Sequence, residues 1–188
     1  MDLIDQRDDR TRFLGSASMV FSPATWFELE GNFNLDRQDY YQTNRTPKGY
    51  ETDQSVSGGS YFKSAALEND INASITASIN KAFGDLTTRT RIRYLLEDQH
   101  SENFSVTGRE FAAVGVPSLD NTSGTFTAGS SISDVLSEGY FFITALDYQG
   151  KYVGDFLVRR DGSSLFGPKE RWQTYFRASA AWRMAQED

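Results

Sequence analysis

A strict two-residue alternation of apolar and polar side chains is the feature that most constrains the fold of this chain. From Trp26 to Asp36, every second position is apolar or glycine: Phe27, Leu29, Gly31, Phe33 and Leu35. The positions between them carry carboxylates or amides: Glu28, Glu30, Asn32, Asn34 and Asp36. Because successive side chains of a β-strand point to opposite faces, this run predicts a strand with one apolar face and one polar face.

Further runs of the same kind are distributed along the chain, some with weaker alternation. They are Phe13–Phe21, Ile71–Asn80, Leu86–Leu96, Tyr140–Tyr148, Val153–Arg160 and Trp172–Arg183. Together with the run at Trp26–Asp36, they predict an all-β chain of about seven strands.

The connections between these runs alternate between short and long. Ser22–Thr25, Gly84-Asp85 and Gln149-Gly150 are short, whereas 37–68, 98–137 and 161–171 are longer and polar. An antiparallel up-and-down meander built this way has short turns on one rim and long loops on the other. Outer-membrane barrels have that arrangement, so the pattern favours a partial transmembrane β-barrel.

A soluble β-sandwich also buries one face of each sheet, so alternation alone leaves both architectures open. Two observations favour a lipid-facing sheet. The runs are about ten residues or longer, whereas soluble strands have about five or six. Aromatic residues also gather near the short turns, as in an interfacial girdle. They are Phe21, Trp26, Phe27, Phe83, Tyr148, Tyr152 and Trp182.

Composition excludes several other classes. The chain has no cysteine, which excludes disulfides and thiolate metal sites, and its net charge of −7 argues against a nucleic-acid partner. No window of ~18 apolar residues predicts a membrane-spanning helix. The first twelve residues lack the apolar core of a signal peptide. The sequence predicts no catalytic group, no metal site and no cofactor.

The block from Lys151 to Arg183 carries a more specific signal. It reads Lys151-Tyr152, then VGDFLVRRDGSSLFG, then Arg171-Trp172, Tyr175-Phe176 and Ala181-Trp182-Arg183. This block resembles the barrel of TonB-dependent outer-membrane receptors of the SusC/RagA type. The motif residues to which we assign a structural role are Arg160, Asp161, Gly162, Ser163, Ser164, Phe166, Gly167, Trp172 and Trp182. We expect a tight turn at Asp161-Gly162, with the serine side chains bonding the local backbone.

The resemblance implies that residues 1–188 are an internal part of the barrel of a larger receptor, with no plug domain and no signal peptide. It implies a bacterial outer-membrane location and import of a bulky nutrient (an oligosaccharide, peptide or chelate) with energy from TonB. The implied partners are outer-membrane lipid, TonB and a surface lipoprotein lid, and no enzymatic activity is implied. Two alternatives stay open: a soluble β-sheet binding module and a small stand-alone outer-membrane barrel.

Two groups of residues are candidates for substrate contact. Arg89, Arg91 and Arg93 share one strand face, either as a basic stripe toward an anionic substrate or as a lumen wall paired with Glu28 and Glu30. Tyr40 and Tyr41 fall in the first long connection, where aromatic rings could stack on sugars. Within these groups, Arg91, Tyr40 and Tyr41 are the substrate-binding candidates.

Overall fold

The structure is a computed structural model that describes residues 4–52 and 55–184, most of which lie in β-strands. The strands are β1 (Asp5–Ala24), β2 (Phe27–Thr46), β3 (Glu51–Thr52), β4 (Ser55–Val56), β5 (Ser60–Phe83), β6 (Leu86–Arg109), β7 (Phe126–Tyr148), β8 (Tyr152–Ser163) and β9 (Trp172–Trp182). A 3-10 turn, Leu119–Asn121, lies between β6 and β7.

The seven long strands form one sheet in the order β1-β2-β5-β6-β7-β8-β9. Each long strand is therefore bonded to the next long strand along the chain, and β1 and β9 are the edges. The short strands β3 and β4 pair only with each other. The predicted all-β, antiparallel, up-and-down meander of about seven strands is confirmed.

No helix in the described ranges is long and apolar enough to cross a membrane.

The prediction was wrong about the extent of the two long connections. Strand β2 continues to Thr46 and β5 begins at Ser60, so the predicted loop 37–68 shrinks to 47–59. Likewise the predicted loop 98–137 shrinks to 110–125. The added strand segments carry polar residues on both faces, as in DRQDYYQTNRT at Asp36–Thr46. Their pairing with neighbours keeps them extended, although the apolar alternation that identifies a strand in the sequence has ended.

The expected turn at Asp161-Gly162 was also wrong. Both residues lie inside β8, where Asp161 pairs with Gln173 and Gly162 pairs with Trp172. Pairing with β7 on the other side places Gly162 opposite Glu138. Ladder hydrogen bonds on both sides override the local turn preference of the dipeptide. The reversal of the chain occurs in residues 164–171 instead.

Two short turns have the backbone geometry that close strand pairing needs. At Gln149-Gly150 both central residues have positive φ, 55° and 70°. That combination is typical of a type I′ hairpin turn, whose twist matches that of paired strands. The Asp147 carboxylate accepts a hydrogen bond from the Gly150 amide at 2.8 Å and holds the turn. Gly84 likewise has a positive φ of 61°.

Contacts divide the chain into two compact units, each described by itself. The first comprises Met1–Phe13, Asp36–Asn69 and His100–Asp134; the second comprises Leu14–Leu35, Asp70–Gln99 and Val135–Asp188. Within these bounds, residues 1–3, 53–54 and 185–188 are not described.

In the first unit, the connections 47–59 and 110–125 bind each other. The amides of Glu110 and Phe111 donate to the carbonyls of Gly59 and Gly58 at 2.8 and 2.9 Å. The Lys48 ammonium donates to the Phe111 carbonyl at 2.7 Å. Phe111 is 5 % exposed and is the one buried hydrophobic side chain among the described residues. The two connections therefore form one docked pair of loops.

Replacing Gly59 with Ala tests this docking. A Cβ at Gly59 would lie 2.3 Å from the Phe111 ring, and the residue has φ +89°. We expect the substitution to cost about 1–3 kcal/mol locally, so hydrogen exchange at the Glu110 and Phe111 amides should accelerate about fivefold or more.

Gly49→Ala is the matched control, because Gly49 has φ +85° and no atom lies within 4 Å of its added Cβ. It carries the same backbone cost without the clash. Equal acceleration of the two amides in both variants would show that backbone strain, not packing on Phe111, controls the loops.

Candidate functional site

The registers of β7, β8 and β9 show which side chains of these three strands lie on the same face of the sheet. Residues directly opposite each other on paired strands share a face. One face carries rows such as Phe142–Val158–Phe176 and Thr144–Phe156–Ala178. The other carries rows such as Ala145–Asp155–Ser179. The first set is called the apolar face below and the second the polar face.

An aromatic belt lies on the apolar face beside the Gln149-Gly150 turn. Tyr148, Tyr152 and Trp182 form one row across three strands. The ring centroids of Tyr152 and Trp182 are 6.4 Å apart with an angle of 12° between the planes, and those of Tyr148 and Tyr152 are 6.5 Å apart. Three of the seven aromatics predicted near the short turns thus meet here as a stacked row.

A second belt, which the sequence analysis missed, lies on the same face further from the turn. The Tyr94 and Tyr140 rings are 5.1 Å apart, and the Tyr140 and Trp172 rings are 5.8 Å apart. These residues come from β6, β7 and β9. Strand register brings the three rings together. One part of this was predictable from the sequence: Trp172 and Trp182 are an even number of residues apart, so they lie on the same face of β9.

The band between the belts carries no charged side chain in the described parts of β7, β8 and β9. Its members are Phe142, Thr144, Leu146, Gly154, Phe156, Val158, Phe176, Ala178 and Ala180. Along β7 the two belts are eight residue steps apart, from Tyr140 to Tyr148, or about 27 Å of strand. Phe176 is 80 % exposed. An exposed apolar band with an aromatic belt on each side matches the lipid-facing surface of a membrane barrel.

The polar face carries the charges. The Arg177 guanidinium donates to Asp155 at 3.0 Å, and the Ser179 hydroxyl donates to the same carboxylate. Arg159 pairs with Asp161 at 2.5 Å. Such exposed pairs contribute roughly 0–1 kcal/mol each, so they indicate a wetted face more than a source of stability.

Arg91 lies on this polar face, as the alternation predicted. Arg91 and Arg93 line a pocket of about 390 Å³ together with Glu28 and Glu30. No ion pair within 4.0 Å joins these arginines to the two glutamates in the described ranges. The arginines and glutamates of the predicted lumen wall therefore lie around one pocket, but in the described ranges they form no ion pairs with each other. Arg89 lines a different pocket, of about 480 Å³, with Asp147 and Arg183.

Tyr40 and Tyr41 lie in strand β2 and not in a loop. As consecutive strand residues they point to opposite faces, so they do not form one stacking platform. The Tyr40 hydroxyl donates to Asp8 at 3.0 Å, and the Arg10 guanidinium lies 5.6 Å from the Tyr40 ring centroid. Tyr41 is 40 % exposed, and it lines a pocket of about 370 Å³ together with Tyr40, Leu67 and Phe104.

The residues of the Arg160–Trp172 block have packing and turn contacts. The Arg160 guanidinium lies 4.9 Å from the Trp172 ring centroid, and a Cβ at Gly162 would lie 2.8 Å from the same ring. The other contacts of the block link it to β7 or lie within the turn that follows β8. The Ser164 hydroxyl accepts from the Leu136 amide, the Phe166 amide donates to the Ser163 carbonyl, and the Gly167 carbonyl accepts from the Glu170 amide.

Comparison with known proteins returns receptors and transporters. No family model matches the chain. It is 24% identical over 193 residues to the TonB-dependent receptor P26 of Formosa agariphila, an alignment that covers 95% of the chain and 18% of that receptor. The chain thus spans about a fifth of the length of this curated relative.

Solved structures with a similar fold come from RagAB. The RagAB peptide transporter matches with a TM-score of 0.86 and 11% identity, over 98% of the chain and 21% of that protein. The RagAB peptide importer matches in its closed-closed state with a TM-score of 0.86 and 12% identity, over 98% of the chain and 21% of that protein. In its open-open state the TM-score is 0.76 and the identity 14%, over 95% and 20%. The resemblance to SusC/RagA-type TonB-dependent receptors is confirmed.

Gly162→Ala tests the packing behind the second belt. Because the new methyl group would overlap the Trp172 ring, we expect a loss of about 1–3 kcal/mol in the free energy of unfolding. Denaturant unfolding followed by tryptophan fluorescence measures it.

Gly154→Ala is the control on the same face of the same strand. Its nearest neighbour is the Ser179 carbonyl at an ordinary 3.5 Å. If both variants lose equal stability, the Gly162–Trp172 contact does not constrain the strand.

The hydrogen bond to Asp8 raises the pKa of Tyr40 above its ordinary value, because the carboxylate favours the protonated phenol. Tyr40 belongs to the first unit and is not part of the band between the belts. A folded pKa above the unfolded value means that this interaction is complete below pH 10 and is lost as the pH rises through the folded pKa. We expect Asp8→Asn to lower the pKa of Tyr40, measured by NMR of ¹³C-labelled tyrosine with Tyr40→Phe for assignment. An unchanged pKa would contradict the bond.

Proposed function

We propose that this chain is part of the barrel wall of a bacterial outer-membrane receptor of the SusC/RagA type. In the whole receptor, the wall supports import of a bulky nutrient: an oligosaccharide, a peptide or a chelate. The observation that carries the proposal is the charge-free, exposed apolar band between two aromatic belts in the second unit.

A lipid environment explains why this band stays uncovered. Monomeric soluble proteins rarely expose contiguous apolar surface of more than a few hundred Å². Here large hydrophobic side chains such as Phe142, Phe156 and Phe176 are exposed by 38 %, 41 % and 80 %. Hydrocarbon removes the cost of that exposure, and belts of Tyr and Trp suit the headgroup level at each side.

The opposite face supports a role as the wall of a wet lumen. Asp155, Arg177 and their neighbours alternate strictly with the apolar band, as lumen and lipid residues do in outer-membrane barrels. A wall has no need of catalytic groups, and we propose no enzymatic activity. In the described ranges, no cluster of three or more potential metal-binding side chains occurs.

We propose three partners for the whole receptor: TonB, which supplies the energy, a surface lipoprotein lid and membrane lipid. The name of the Formosa receptor and the two-component name RagAB support this assignment. The RagAB structures are described as those of a peptide importer, which makes a peptide one of the three nutrient classes to test. We propose that residues 1–188 contribute one internal part of the barrel and its external loops.

Arg91, Tyr40 and Tyr41 remain our candidates for substrate contact. The polar-face position of Arg91, in a pocket shared with Glu28 and Glu30, supports the proposed role toward an anionic substrate. Both tyrosines line the same pocket, but the Tyr40 hydroxyl is already bonded to Asp8, so Tyr41 is the better candidate of the two.

The soluble binding module is disfavoured because it needs a second layer over the apolar face. Among the described residues, Phe111 is the one buried hydrophobic side chain, and it belongs to the first unit. A small closed barrel would need pairing between β1 and β9, which are both edge strands of the described sheet.

Spin labels on neighbouring residues of β8 test the lipid-facing band. The chain has no cysteine, so Phe156→Cys and Leu157→Cys each give a single label within it. In the intact protein in outer-membrane vesicles, with cysteines outside this segment replaced, we expect the label at 156 to be accessible to O₂ but not to a water-soluble nickel chelate.

Leu157 is the matched control, since it lies on the polar face opposite Ile143 and Arg177. A label there should show the reverse preference, with at least a severalfold difference in the accessibility ratio. Equal access of the nickel chelate to both positions, or recovery of the intact protein in the soluble fraction, would overturn the proposal.

A further inference from the structure

We propose that Arg160 and Trp172 form a binding site for the phosphate group of an outer-leaflet lipid. The inference rests on the proposed membrane location and extends it to a specific contact with a lipid headgroup. It also adds a ligand to the Arg160–Trp172 block, whose packing and turn contacts are described above.

Arg160 is the one charged residue on the apolar face of β8. The even-numbered residues of that strand are Tyr152, Gly154, Phe156, Val158, Arg160 and Gly162. Register places Arg160 opposite Tyr140 of the second belt and Thr174 of β9. The second belt lies on the side away from the short turns, which in barrels of this kind is the external side.

Local contacts leave the Arg160 guanidinium without a charged partner. Its described contact is with the Trp172 ring, 4.9 Å from the centroid, and no ion pair within 4.0 Å reaches it in the described ranges. The nearby carboxylate of Glu138 accepts the Tyr94 hydroxyl at 2.7 Å. By contrast, Arg159, one residue earlier and on the polar face, is paired with Asp161.

The position of Trp172 depends on a neighbouring glycine. Trp172 lies directly opposite Gly162, and its ring occupies the space that a Cβ would need. An aromatic ring over a cross-strand glycine is a recognised stabilising pair in sheets. The ring then holds Arg160, two residues away on the same face, by a cation–π contact. The result is one preorganised cluster of three residues: Gly162, Trp172 and Arg160.

Phosphate is the anion that fits this cluster. A planar guanidinium donates two parallel hydrogen bonds to phosphate oxygens, a geometry that a lysine cannot reproduce. Phosphates of lipid headgroups lie at the depth where belts of Tyr and Trp are found. A ring on one side of the guanidinium partly desolvates it, which strengthens its bond to an anion.

Native mass spectrometry of the purified intact protein in detergent tests the site, with diphosphorylated lipid A as the probe. We expect Arg160→Gln to weaken lipid A binding about tenfold, since a hydrogen bond to a charged group is lost. Arg159→Gln, the adjacent arginine on the other face, should change binding by less than twofold. Trp172→Phe keeps a ring but weakens the cation–π contact, and should reduce binding two- to threefold.

Two further arms identify the source of the phosphate. Dephosphorylated lipid A should bind equally weakly to the wild type and to Arg160→Gln. Inorganic phosphate at millimolar concentration should not displace lipid A; displacement would show a site for free phosphate and overturn the lipid assignment. Unchanged binding of lipid A to Arg160→Gln, or equal losses in Arg159→Gln and Arg160→Gln, would also overturn it.

Near-ultraviolet circular dichroism checks that each variant is folded, and Arg160→Lys supplies a second variant if Arg160→Gln fails to fold. Lysine keeps the charge but loses the planar fork, so intermediate binding is expected and full wild-type binding would contradict the site. The label at position 156 separates the two proposals. If it is in lipid while Arg160→Gln binds normally, the phosphate site alone fails; if it is in water, the membrane assignment fails.

Discussion

Register is the constraint on which the rest of this structure depends. The side-chain period of a strand is two, so a shift of one residue between β8 and β9 would exchange the two faces of β9. Phe176 would then move to the side of Asp155, and Arg177 would move into the apolar band. Both changes are costly when one face lies in hydrocarbon, where a charge costs several kcal/mol. The belts at both ends of the band reinforce this alignment, because Trp182 stacks on Tyr152 and Trp172 contacts Tyr140.

The alternation of side chains in the sequence was sufficient to predict the central parts of the strands and the separation of the two faces, and the short and long connections predicted their order as a meander. It was sufficient because the information is local: Phe27, Glu28 and Leu29 already identify a strand with two different sides. The outer parts of the strands, such as Asp36–Thr46, were not predictable in this way. Both of their faces are polar, and only pairing with neighbouring strands keeps them extended.

The site was less predictable than the fold, because it depends on contacts between residues far apart in the chain. The second belt joins Tyr94 to Tyr140 and Trp172, and no local pattern states that β6, β7 and β9 align there. The Asp161-Gly162 dipeptide shows the opposite failure. Its local turn preference is strong, yet it lies in β8, where the missing side chain of Gly162 makes room for Trp172. Arg91, in contrast, lies on the polar face that its strand parity predicted.

The docking of the loops 47–59 and 110–125 has a consequence for how this protein can diversify. Surface loops are the segments that vary most freely in sequence between related proteins. Here the ring of Phe111 fills the space left by Gly59, and Lys48 binds the Phe111 carbonyl. Replacement of one loop alone would leave a cavity where the Phe111 ring packs, or a steric clash at Gly59. The two loops must therefore be inherited, exchanged and engineered as a single cassette, although about fifty residues of strand separate them in the chain.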